Sequence, residues 1–142
     1  MPTQTLRYQK LNGYKYRVVD DVCILLDWLK GISYNANYIR ILPDGTLIAK
    51  KGYAWDGPSG LTFDTEDSLR GSLWHDVGYQ LIRDGVLSKS LYKGLFDQLL
   101  RDVCIAAGMW EWRARLWFLA VVKFGNFYGL GDDRHGEIYT AP

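Results

Sequence analysis

Cysteine and histidine are both scarce in this chain, with two of each among 142 residues. Cys23 and Cys104 lie far apart in apolar surroundings, a pattern that argues against a disulfide framework or a thiolate zinc cluster and predicts two buried free thiols. An excess of charge of one sign is missing as well. Seventeen Lys plus Arg stand against sixteen Asp plus Glu, a net charge of +1. No global field therefore draws the chain to nucleic acid or to a membrane surface, and only a local basic patch stays open. No apolar run approaches the roughly 20 residues that span a bilayer, and the opening MPTQTLRYQK carries no basic-then-apolar leader pattern. A chain that is not transmembrane, has no signal peptide and resides in a cytoplasm is the expectation. GxSxG, Walker A, HExxH and CxxC are absent too, which removes the commonest hydrolase, nucleotide and zinc readings.

Apolar residues are plentiful, at 48% of the chain with 15% aromatic, enough for one core at this length. The pattern predicts a single domain over residues 1–142 of the α+β class, a small N-terminal antiparallel β-sheet followed by a three-helix portion with an antiparallel helix pair. Residues 1–51 form its β-rich part. Within it, residues 6–19 read as a hairpin broken at Asn12 and Gly13, a two-residue turn signal. Residues 22–29 (VCILLDWL) are a nearly continuous apolar run that periodicity alone leaves open between strand and helical turn, ended by Gly31. Residues 37–42 and 46–51 flank Pro43, Asp44 and Gly45, the clearest hairpin in the chain, with Ile39, Ile41, Leu47 and Ala49 on the inner face.

Residues 52–64 (GYAWDGPSGLTFD) hold three glycines and a proline, which predicts an ordered loop without regular structure. The helical part spans residues 65–125. Its first helix begins at a cap on Asp64 or Thr65, runs to Asp84 with Leu69, Leu73, Val77 and Leu81 as its inner stripe, and stops at Gly85. A second starts at Ser88, with Leu91, Leu95, Leu99 and Val103 repeating at helical spacing and Gly108 where a terminal glycine belongs. The short connection makes the two antiparallel neighbours, so residues midway along one face residues midway along the other. Residues 110–124 form a third helix, apolar nearly all round. The tail, 126–142, has no periodicity and is expected to be irregular; Asp132, Asp133 and His135 in it make a weak metal signal beside the simpler reading of a solvated tail.

The residues that carry chemistry cluster around WHDVGY at 74–79. Histidine acts as a general base near neutral pH when a partner fixes its tautomer and stabilises the imidazolium, and Asp97 is placed to be that partner of His75. At 100° per residue, Ser72 and Tyr79 lie within about 60° of His75 on the helix, whereas Asp76 points roughly 100° away. His75 and Asp76 therefore have different tasks. Asp76 can turn toward the glycine-rich loop, where the Asp56 carboxylate and the backbone carbonyls of residues 55–60 supply the oxygen ligands that a hard cation such as calcium takes. The plain alternatives stand beside this: His75 as a satisfied interior residue, Asp56 and Gly57 as an ordinary turn, Asp97 paired with Arg101 one turn on, and Trp74, Trp110, Trp112 and Trp117 as core or interface.

In GYAWDGPSG, WHDVGY, the Phe96-Asp97 pair and WRARLWFLAVVKFG, the chain resembles an uncharacterised domain family common in tailed phages and prophages. The resemblance covers residues 51–125, with Pro58 and Phe96 standing where alanine is expected. More distantly, HDVGY is similar to the helix of secreted bacterial phospholipases A2. That likeness implies His75 as general base, Asp76 as calcium ligand and Asp97 as the residue that orients the histidine, with loop carbonyls near Trp55, Gly57 and Gly60. Two readings follow. One is a phage-associated, calcium-dependent esterase or phospholipase-like hydrolase with His75, Asp97 and Tyr79 at its site and a lipid or ester substrate. The other is a non-catalytic virion or morphogenesis component that packs against other phage structural proteins. Both place the chain in the host cytoplasm or the virion.

Overall fold

The computed structural model describes residues 6–11, 16–55, 66–106, 114–116, 118–119 and 138–141. They form an α+β structure, two antiparallel sheets from the N-terminal part followed by helices. Packing divides the chain into two compact units, Met1–Ala54 with Gly131–Thr140, and Trp55–Leu130 with Ala141–Pro142.

In the first unit, β1 (Leu6–Lys10) and β2 (Tyr16–Val18) pair antiparallel with Gln9 opposite Arg17; the Asn12-Gly13 turn between them lies outside the described residues. Leu6, Tyr8, Tyr16 and Val18 are buried, while Arg7 faces out. This is the period-2 alternation of a strand with one wet face. The apolar run at 22–29 resolves into both of its possibilities, a strand β3 (Val22–Leu25) and a 3-10 turn at Asp27–Leu29. Strand β4 (Tyr34–Asn35) precedes β5 (Ile39–Ile41), which pairs with β6 (Thr46–Ala49) around the 43–45 turn, giving a sheet of order β3-β6-β5-β4. Ile39, Ile41, Leu47 and Ala49 are each at most 3% exposed, the inner face that the alternation predicts. Cys23 is exposed, not buried. It stands opposite Ile48 on the outer face, one residue out of phase with the inward Val22 and Ile39, so the strand period overrides its apolar neighbours.

Two segments expected to be irregular contain strands. β7 (Ala54–Trp55) opens the glycine-rich stretch, and β8 (Ile138–Ala141) forms in the tail. They occupy the two ends of a sheet of order β7-β2-β1-β8. Both are edge strands supplied with hydrogen bonds by a sheet already formed, so neither needs a periodic pattern of its own.

The second unit is built on α1 (Glu66–Arg83) and α2 (Lys89–Ala106). Leu69, Leu73, Val77 and Leu81 are buried as expected, with Leu73, Val77 and Leu81 fully so. The C-terminus of α1 closes with Gly85 at φ 78 and bonds from Gly85 N to Ile82 O and from Val86 N to Leu81 O, the Schellman arrangement that a left-handed residue permits. α2 begins where Ser88 O accepts from Tyr92 N at 3.0 Å. Its inner stripe, however, is not Leu91, Leu95, Leu99 and Val103. Leu91 is 69% exposed, and the buried residues are Phe96, Asp97, Leu100 and Cys104. The helix is rotated by about one residue, roughly 100°, because the surface of α1 offers glycine rather than side chain there. A Cβ on Gly78 would fall within the Phe96 ring, and one on Gly71 would collide with Cys104 Sγ. Of the expected third helix, residues 114–116 and 118–119 are described and are helical; Gly108 lies outside the described residues.

Close approach of the two helices thus depends on two glycines of α1. Gly78→Ala is expected to destabilise the protein by about 1–3 kcal/mol through overpacking against Phe96. Gly94→Ala on α2, where a Cβ meets nothing within 4 Å, is expected to stabilise it by about 0.5–1 kcal/mol through helix propensity. Urea denaturation of both variants checks the contrast; a stabilising Gly78→Ala would refute the packing account.

Candidate functional site

On α1, the apolar stripe that packs the helix also carries His75 and Tyr79 inward, one turn apart. The antiparallel α2 brings Asp97 opposite them. His75 Nε2 lies 2.7 Å from Asp97 Oδ1, with both side chains 1% exposed. Tyr79 Oη donates to the same oxygen at 2.5 Å, and Lys93 Nζ, one turn earlier on α2, donates to Asp97 Oδ2 at 2.8 Å. The imidazole and phenol rings lie with centroids 4.0 Å apart, and the Lys93 ammonium stands 5.7 Å from the Tyr79 ring centroid.

The electrostatics of this cluster are consistent with one another. Burial alone would raise the Asp97 pKa, but the hydrogen bonds from His75, Lys93 and Tyr79 outweigh it and hold the carboxyl below its ordinary value. Burial lowers the His75 pKa, against the opposing pull of Asp97. Tyr79 is pushed up, first by burial and then by its bond to Asp97. The ground state is accordingly an ionised Asp97 accepting from a neutral imidazole, a neutral phenol and an ammonium. A neutral histidine that donates from Nε2 carries its lone pair on Nδ1, the arrangement a general base requires.

Asp76, the other acidic residue of the motif, is 4% exposed on a different side of α1. Trp55 is fully buried, and its Nε1 donates to Ser72 Oγ at 3.0 Å, while Ser72 donates to Leu69 O. The start of the glycine-rich loop is thereby pinned to α1 one turn before His75. Asp56, Gly57 and Gly60 lie outside the described residues, as do Asp132, Asp133 and His135 of the tail. Among the described residues no three His, Cys, Asp or Glu side chains gather as a metal site. Trp74 is fully buried, in keeping with a core role, and its Nε1 has no hydrogen-bond partner among the described residues.

Two features escaped the sequence. The ion pair of Asp97 is with Lys93, not with Arg101, which bonds Asp102 instead. Both lysine and arginine stand four residues from Asp97, so spacing does not choose between them. The Ser72 anchor was legible only as a polar residue on the His75 face, since nothing local connects it to Trp55. Comparison of the chain with family models, curated proteins and solved structures gives no match.

Asp97→Ala would strand a buried imidazole, a phenol and an ammonium and is expected to cost about 3–5 kcal/mol in urea denaturation. Because the folded carboxyl titrates below the unfolded value of 3.8, the stability that Asp97 contributes is complete above that value and is lost as pH falls through its folded value. Stability measured across the acid range should therefore fall more steeply for the wild type than for Asp97→Ala, and parallel curves would contradict the assignment.

Proposed function

We propose that this chain is a phage-associated hydrolase of the phospholipase A2-like kind, acting on a lipid or other ester. The observation that carries the reading is the 2.7 Å bond from His75 Nε2 to a carboxylate on the antiparallel helix, both side chains being 1% exposed. Asp97 orients the imidazole and stabilises its protonated form. His75 Nδ1 takes a proton from water as the water oxygen attacks the ester carbonyl. The imidazolium then returns that proton to the leaving alcohol oxygen as the carbon–oxygen bond breaks. Tyr79 shares the Asp97 oxygen and fixes the carboxylate plane. Since the His75 ring is 1% exposed, turnover requires the side chains over it, Tyr79 among them, to move aside.

Calcium belongs to the same proposal. Asp76 and Asp56 with the carbonyls of Trp55, Gly57 and Gly60 would make an all-oxygen donor set of the kind a hard cation takes, and the bound ion would polarise the ester carbonyl. Association with phage rests on the likeness of residues 51–125 to the tailed-phage family.

A second reading has a specific observation in its favour. The burial of His75 and the three donors on Asp97 also describe a completed internal polar cluster, as a non-catalytic virion or morphogenesis component packing against other phage proteins would use to fix its helix pair.

His75→Gln separates the two, because its amide nitrogen can keep a donor to Asp97 without supplying a base. For the hydrolase, ester hydrolysis should fall by roughly 10²–10⁴ with the melting temperature nearly kept. Equal rates in wild type and variant would leave the structural reading. Millimolar calcium should raise the melting temperature of the wild type by mass action and have less effect on Asp76→Asn; no shift in the wild type would refute the metal.

A further inference from the structure

The near-zero net charge of the chain conceals a local concentration of cations in the first unit. A cleft of about 660 Å³ is lined there by Arg7, Arg17, Tyr38 and Lys51, together with Gln9, Val18, Val19, Asp20 and Gly52. We infer that this cleft binds a nucleotide, with its phosphate held by the three cations and its base stacked on Tyr38. The inference is independent of His75 and its chemistry.

The cations arrive by different routes. Arg7 and Arg17 stand on β1 and β2, whose alternate residues Tyr8 and Val18 are buried. Gln9 lies opposite Arg17 across the strand pair, and its Oε1 accepts from Arg17 Nε at 3.2 Å and Nη2 at 2.8 Å. One edge of the guanidinium is thus engaged and its plane is fixed, so little side-chain freedom remains to be lost when a phosphate docks. Lys51 is set in place by its backbone N–H, which donates to Asp21 Oδ1 at 2.7 Å. The one carboxylate lining the cleft, Asp20, is tied to Arg7 at 2.8 Å with both side chains about half exposed. An exposed pair of this kind is weak, and an entering phosphate can replace the carboxylate on Arg7.

Tyr38 supplies the apolar wall. Its side is 52% exposed, and the ring passes over the bare backbone of Gly52, where a Cβ would come within 3.1 Å of Cε1. A hydrogen bond from Lys50 N to Tyr38 O at 2.8 Å holds the backbone beneath it. A large aromatic left open beside arginines is the arrangement on which nucleic-acid bases stack, and the volume lies in the range of small-ligand sites. Free mononucleotides and the units of a single strand share this chemistry.

Calorimetric titration of the whole chain at low salt with uridine 5′-monophosphate, a short oligothymidylate and inorganic phosphate tests the assignment. The mononucleotide should bind at least about tenfold more tightly than phosphate, and Tyr38→Ala should remove about that advantage. Arg17→Gln and Lys51→Gln should weaken both nucleotide probes, with each variant's melting temperature confirming its fold. An oligothymidylate that binds more tightly than the mononucleotide, and loses affinity steeply with salt, identifies a strand as the source; equal affinity identifies the free nucleotide. No saturable binding of either nucleotide at millimolar concentration, phosphate binding as tightly as the mononucleotide, or folded variants that bind like wild type would overturn the inference.

Discussion

A carboxylate buried between two helices is tolerated only if donors surround it, because an unpaired charge in that position would cost more than the helix pair gains by closing. Asp97 meets that condition with three donors from two helices, His75 and Tyr79 on α1 and Lys93 on its own α2. The geometry this demands fixes how α2 is turned. With Asp97 facing His75, Phe96 lands on Gly78 and Cys104 on Gly71, and the leucines that repeat along α2 are carried to its flank. Packing and electrostatics therefore agree on one rotation of the helix.

The same constraint gives the site its chemical character. Three donors keep the carboxylate ionised despite burial, and burial keeps the imidazole neutral beside it. A histidine in that state is suited to accept a proton, and the proposed hydrolysis uses this property. It is equally the state of a well-formed internal anchor, since a satisfied polar cluster rigidifies whatever elements it joins. The cluster's composition is common to both readings. The accessibility of the imidazole to water and ester during turnover is what distinguishes them.

The first unit follows a different logic. Along β1 and β2 the residues alternate, so Leu6, Tyr8, Tyr16 and Val18 are withdrawn to one side while Arg7 faces the other. Arg7 and Arg17 lie three and one residues from Lys10 and Tyr16 in sequence, but the antiparallel register of β1 and β2 is what sets Arg17 across from Gln9 and close to Arg7's strand. A chain with balanced charge overall can in this way present a cationic cleft, because sheet register sorts residues by face and not by sign.

Much of the local structure was legible from the residues themselves. The Pro43-Asp44-Gly45 turn, the alternation of Ile39, Ile41, Leu47 and Ala49, the stop at Gly85 and the meeting of His75 with Asp97 all follow from short-range periodicity and a connection too short to permit any but antiparallel helices. Where longer-range partners decide, the sequence was silent or misleading. Cys23 faces out because its strand pairs in register with β6; β7 and β8 exist because a formed sheet offers its edges; Phe96 and Cys104, not the repeating leucines, face α1 because they pack onto Gly78 and Gly71. Sequence by itself determined the main helices, the 39–49 hairpin and the pairing of His75 with Asp97, since propensity, capping and period are local properties. Only the tertiary structure decided which face of α2 is buried, because that outcome depends on the absence of side chains at Gly71 and Gly78 on another helix.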